Sequence, residues 1–144
     1  MKTVTFDADV IIKYSFKRLP ARYLLTSVVV QELIAGAVDD SQAKEIAALA
    51  RQLDKVNRLL IPTREDWIEA GKILNNLLRG ARSKNRGKTP KRPPEEKQRL
   101  FKDVLIARCA KRAGATLVTD NVKDFKKIAR YCEVKVKTGE EFFQ

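Results

Sequence analysis

The sequence has no histidine and only two cysteines among its 144 residues. Without histidine the chain cannot build a histidine general base, a Ser-His-Asp triad or a histidine-bearing zinc site from its own side chains. Cys109 and Cys132 lack CxxC spacing, which leaves them as reduced thiols packing as small hydrophobes. No apolar run approaches the roughly 18 residues that a spanning helix needs. The opening MKTVTFDADVIIKY interrupts its apolar stretch with Asp and has no small-residue cleavage site of a signal peptide. We therefore expect a cytoplasmic chain with no membrane partner. Acid is scarce relative to base: 18 Asp and Glu against 30 Lys and Arg give a net charge of +12. Such a field favours polyanions, either nucleic acid or an acidic protein.

With 44% apolar and 33% charged residues the chain reads as folded. One hydrophobic core suffices at this length, so a single domain over 1–144 is expected. β-formers alternate from Thr3 to Phe6 and stop at Asp7. Tyr23 to Thr26 is a second candidate strand, with Ser27 placed to cap a helix running to about Ala37, before an Asp39-Asp40 break. Ala43, Ile46, Ala50, Leu53 and Val56 recur at spacings of three and four, which predicts an amphipathic helix from Ser41 to Val56. Leu59 to Ile61 is a short strand. Thr63 with Asp66 resembles a capping box, opening a helix through Trp67, Ala70, Leu74 and Leu77. From Arg79 to Pro94 come seven basic residues (Arg79, Arg82, Lys84, Arg86, Lys88, Lys91, Arg92), two glycines, three prolines and no acid. That composition predicts a basic loop. A helix from Glu95 to Ala113 ends at Gly114. It is followed by a strand at Thr116 to Val118, a short helix from Val122 to about Ala129 and a last strand from Cys132 to Val136. Strands alternating with helices, without an internal repeat, give an α/β fold with a parallel sheet covered on both faces. Sites in such sheets form at the carboxyl ends of the strands.

Four acids lie against apolar segments and not in solvated charge runs. Asp7 ends the first strand, in F-D-A-D-V-I-I, and Glu32 follows three valines, in S-V-V-V-Q-E-L-I-A-G. Asp103 sits in K-D-V-L-I-A-R-C-A, and Asp120 in T-L-V-T-D-N-V-K-D-F. Any one alone reads as a helix cap or surface acid, the reading kept for Asp40 and Asp66.

Taken in order, these segments resemble the PIN-domain nucleases, and among them the VapC toxins most closely. The matching pieces are a strand ending in D-x-[DNS] before two hydrophobics, an S-x-V-V-x-E-L-x-x-G helix start, a D-x-x-I-A-x-x-A-x-x-x-G-A helix, and L-V-T followed by a polar pair and D-F. The resemblance implies a three-layer α/β/α sandwich with a central parallel sheet, and an acidic pocket holding one or two divalent ions. Its first three acids fall on Asp7, Glu32 and Asp103. For the fourth, Asp120 and Asn121 compete and Asp124 lies close by; Asp120 is preferred because a carboxylate is the better ligand for a hard cation. Asp9 stands where many relatives have Asn or Ser.

An all-oxygen ligand set suits Mg2+ or Mn2+. With no histidine to act as base, activation of water falls to the metal. The implied reaction is metal-assisted hydrolysis of RNA phosphodiesters, leaving 5′-phosphate and 3′-hydroxyl ends. The implied partners are an RNA substrate, an antitoxin protein and a second copy in a homodimer. The basic stretch, with Lys97, Arg99 and Lys102 after it, is a candidate clamp for phosphates; a solvated loop is the alternative. Tyr14, Tyr23 and Trp67 read as core or snorkelling aromatics, with base stacking as their alternative. Two other functions stay open: a housekeeping nuclease in RNA processing or decay, and a silent RNA-binding module whose acids are structural.

Overall fold

β1 (Val4–Phe6) is buried at every position, which is why three β-forming residues with no polar face make a strand here. In the computed structural model, which describes residues 3–84 and 94–144, β1 lies between neighbours on both sides. On one side β4 (Thr116–Val118) runs parallel to it in the register Val4↔Thr116 to Phe6↔Val118, and β5 (Val136–Lys137) pairs outside β4. On the other side Leu24 donates its N–H to the Val4 carbonyl at 2.8 Å. This bridge leads into β2 (Leu25–Thr26), which pairs in parallel with β3 (Leu59–Leu60). The chain thus leaves β1 toward β2 and returns to its other edge as β4. That reversal makes the carboxyl ends of β1 and β4 the switch point of the sheet.

The helices cover the sheet in the α/β manner expected. α1 (Ala8–Tyr14) follows β1 directly, because Asp7 caps it by accepting the Ala8 N–H at 2.9 Å. α2 (Ser27–Ala35) follows β2, and its cap is Thr26 rather than Ser27: the Thr26 hydroxyl accepts from the Val29 N–H at 3.1 Å. α3 (Asp40–Lys55) buries Ile46, Ala50 and Leu53, part of the predicted stripe, and is capped by Asp39, so the acidic pair starts this helix. α4 (Arg64–Lys84) opens on the expected box: the Asp66 N–H donates to the Thr63 hydroxyl at 3.1 Å, and Asp66 Oδ2 accepts from the Thr63 N–H at 2.9 Å. It runs past Arg79 into the expected loop and ends at Lys84, its interior glycines Gly71 and Gly80 not stopping it. The remainder of the basic stretch, 85–93, lies outside the described residues. α5 (Pro94–Ala113) starts one residue earlier than expected, with proline at the first helical position, where a missing N–H costs nothing. It ends at Gly114, whose φ of +66° favours glycine.

α6 (Val122–Ala129) buries Phe125 and Ile128. The last strand is displaced toward the C-terminus from Cys132 to Val136, because its register is set by Leu117↔Val136 and Val118↔Lys137. α7 (Gly139–Phe142) was not expected from the pattern; the capping box of Thr138 and Glu141 forms it. Its Phe142 and the following Phe143 pack on Phe6, and Phe143 stacks on Tyr14 at 4.6 Å between ring centroids. Cys109 and Cys132 are buried free thiols, and burial pushes the Cys109 thiol up to about 11. Among the described residues no helix is long and apolar enough to cross a membrane.

Candidate active site

Parallel register sets the first two side chains. β1 and β4 end together, and the Asp7 N–H donates to the Val118 carbonyl at 2.9 Å, so Asp7 and Thr119 emerge side by side. The Thr119 hydroxyl donates to Asp7 Oδ2 at 2.8 Å while the Ala8 N–H holds Oδ1, which fixes both oxygens of a buried carboxylate. Sequence reasoning missed Thr119, which ends the L-V-T segment; its signal is a β-branched hydroxyl at the end of a buried strand, beside an acid.

Asp103 comes from α5, one turn past Leu100, and is only 4% exposed. Asn121 ties it to the loop after β4: Asn121 Nδ2 donates to Asp103 Oδ2 and to Asp124 Oδ2, each at 3.1 Å. Thr119 extends the chain, its hydroxyl accepting from the Asn121 N–H at 3.1 Å. Asp7, Thr119, Asn121, Asp103 and Asp124 therefore form one connected polar network.

The charges in that network repel. Burial, then the charges of Asp7, Asp124 and Glu32, push the Asp103 carboxyl from 3.8 to about 8, with only Arg99 among the leading causes opposing. Burial and the Asp7 charge push Asp9 up to about 6. Asp7 is raised by burial against the pull of Thr119 and the Ala8 N–H, with Glu32 and Asp120 adding to the rise. Glu32, half-buried on α2, is raised by burial and by Asp9, against the attraction of Lys102. A chain of net charge +12 thus concentrates acid at one end of its sheet.

The candidates for the fourth acid lie on two sides of the cluster. Asp120 is exposed, and its Oδ1 accepts from the Gly139 N–H at 2.9 Å, so it points to the start of α7 while its charge is felt at Asp7 and Asp9. Asp124, one helical turn on, joins Asp103 through Asn121. Among the described residues, no three acidic or sulfur side chains stand close enough to cage a metal ion as they are. A cavity of about 670 Å3 at the amino-terminal ends of the strands, beside Thr3, Thr116 and Gly114, holds Glu133 and none of these acids.

Asp66, read as a cap, does more than cap. Its carboxylate is fully buried, accepts from Arg112 Nε at 2.9 Å and faces Arg108 at 3.4 Å, while Arg112 also donates to the Ile61 carbonyl at 3.0 Å. The two arginines on α5 thereby pin the start of α4.

The sequence matches the PIN domain family over residues 4–131. The chain belongs to the PIN domain family. No curated protein matches the chain in sequence. In structure this PIN domain is similar to a chain of the DNA-bound VapBC complex from Salmonella typhimurium, with 21% identity and a TM-score of 0.61 over 96% of this chain and 99% of that one. It is also similar to a chain of VapBC-1 from nontypeable Haemophilus influenzae, with 21% identity and a TM-score of 0.57 over 96% and 98%. A chain of FitAcB from Neisseria gonorrhoeae has 18% identity and a TM-score of 0.54 over 96% and 99%. These are likenesses of fold, and they match the parallel sheet flanked by helices seen in this PIN domain.

Proposed function

We propose that this PIN domain, as one domain over 1–144, is a divalent-metal-dependent endoribonuclease and the toxin of a VapBC-like pair. The observation that carries the reading is the buried cluster in which Asp103 meets the charges of Asp7, Asp124 and Glu32. A stable fold has no use for such repulsion, and a hard cation would relieve it. The donor set fits that cation: every candidate ligand is an oxygen, and no histidine exists to divert the site toward softer metals. Asp7, Glu32 and Asp103 would hold it. Asp124 completes the set better than Asp120, whose carboxylate is already engaged at Gly139.

When bound, Mg2+ or Mn2+ supplies an activated water and positive charge at the scissile phosphate. The chain's own residues provide the rest. Thr119 and the Ala8 N–H lock the Asp7 carboxylate in place, and Asn121 sets the spacing of Asp103 and Asp124. Lys102 and Arg99 bring positive charge to the rim, where phosphates flanking the cut would bind. The chain would act as a homodimer and be silenced by an acidic antitoxin that offsets the +12 field.

Growth of cells expressing the chain tests the toxin role. Arrest is expected when it is expressed alone, with release on co-expression of a neighbouring antitoxin frame and none with Asp7→Asn. Harmless expression of an active nuclease with no binding neighbour would overturn it in favour of RNA processing.

A further inference from the structure

Trp67 is the only tryptophan in the chain, and it is 60% exposed. The sequence reads it as a core or snorkelling aromatic, with base stacking as the alternative; the structure leaves most of it in water, in a groove it shares with Phe101, which is 44% exposed. Both line an open groove of about 570 Å3 between α2, the start of α4 and α5, a volume in the usual range for small-ligand sites. The Asp66–Arg112 ion pair holds the residue next to Trp67 against α5, so the indole stands on a fixed support.

The groove borders the carboxylate site at Lys102. Gln31 lines it and precedes Glu32; Lys102 lines it, precedes Asp103, and is the leading attraction on the Glu32 carboxylate. Polar groups at its rim are a hydroxyl, two amides and a cation, from Ser27, Gln31, Gln98 and Lys102, and among the described residues no carboxylate lines it. The buried Val28 and Leu105 supply apolar surface beneath them.

We propose that this groove is a nucleobase subsite, in which a base of single-stranded RNA next to the scissile phosphate stacks on Trp67 and packs against Phe101. The inference rests on the ribonuclease reading and names the form of RNA it takes. An indole face attracts any base, amides can both donate to and accept from a base edge, and Lys102 faces the adjoining phosphate. A base held in a duplex cannot reach an aromatic side chain in a groove, so the substrate is unpaired at the cut.

The test reads Trp67 emission in the Asp7→Asn protein, so that RNA stays intact. It is titrated with an adenosine pentaribonucleotide and with an abasic ribose-phosphate oligomer of equal length. Quenching by the first and not the second is expected. Trp67→Leu, which keeps apolar bulk without the π face at an exposed position, should weaken pentanucleotide binding about tenfold, a middling stacking contribution. It should leave the abasic oligomer unaffected, and Trp67→Phe should restore most of the loss. RNA that is bound, and is cut by the wild type, without a change at Trp67 overturns the subsite and leaves the nuclease standing. RNA neither bound nor cut overturns the nuclease and the subsite with it. An acidic amphipathic helical peptide that shifts Trp67 emission where RNA does not would make the groove a protein-docking surface and overturn the proposal.

Discussion

Burial and the charges of Asp7, Asp124 and Glu32 push the Asp103 carboxyl up from 3.8 to about 8. The folded chain therefore keeps a proton that the unfolded chain has released, and Asp103 costs the fold stability progressively as pH rises from 3.8 to about 8. Asp103→Asn should remove that cost. In chelator at pH 8 the variant should melt higher than the wild type, and it should gain less on addition of Mg2+ or Mn2+. A variant that melts lower in chelator would show that the carboxylate is structural. At the fourth position the geometry ranks the acids: Asp124→Asn should slow cleavage more than Asp120→Asn, which keeps an acceptor for the Gly139 N–H. Rates in the opposite order would return the role to Asp120. Asp7, Glu32 and Asp103 stood out in the sequence because each interrupts an apolar segment. Asp120 stood out in the same way, but T-D-N-V-K-D crowds three candidates together, Asp120, Asn121 and Asp124, and only the hydrogen bonds of Thr119 and Asn121 show which side chains join the cluster.

At the scale of elements, the Asp66 lock fixes the start of α4 on α5, and with it one wall of the groove. Burial pushes the Asp66 carboxyl up, but the Thr63 N–H and Arg112 outweigh it and hold its pKa below 3.8. Its stabilising effect is thus complete above 3.8 and is lost as pH falls through the lower folded value. Asp66→Asn should destabilise the fold by about 3 kcal/mol in urea unfolding at neutral pH, the low end for a broken buried pair because Arg112 is partly exposed. It should also flatten the wild type's acid limb. An unchanged midpoint would mean that the pair contributes nothing. The Thr63–Asp66 box was legible because its spacing is local; its partners Arg108 and Arg112 lie far along the chain and were not. α1 was missed for a related reason. Val10, Ile11 and Ile12 are β-branched, which lowers helix propensity, whereas the Asp7 cap and burial of Val10 and Ile11 make them helical. α7 is a single turn held by its cap and by rings it meets only in the fold.

On the scale of the whole molecule, strands alternating with helices led to a parallel sheet because buried β-rich runs and amphipathic helices differ in period, and the family match agrees with that architecture. The charge distribution gives the chain its division of labour. A +12 field attracts a polyanion, while the acids at the ends of β1 and β4 repel it unless a divalent cation intervenes. Binding and cleavage should therefore separate: without metal the chain holds RNA and leaves it whole. The most direct test of the account is the chemistry of the ends produced when the purified chain meets single-stranded RNA, with Mg2+, with chelator, and as Asp103→Asn. With Mg2+ alone, 5′-phosphate and 3′-hydroxyl ends are expected, and in the other two cases intact RNA. Cleavage that persists in chelator, or proceeds at the wild-type rate in Asp103→Asn, would contradict it.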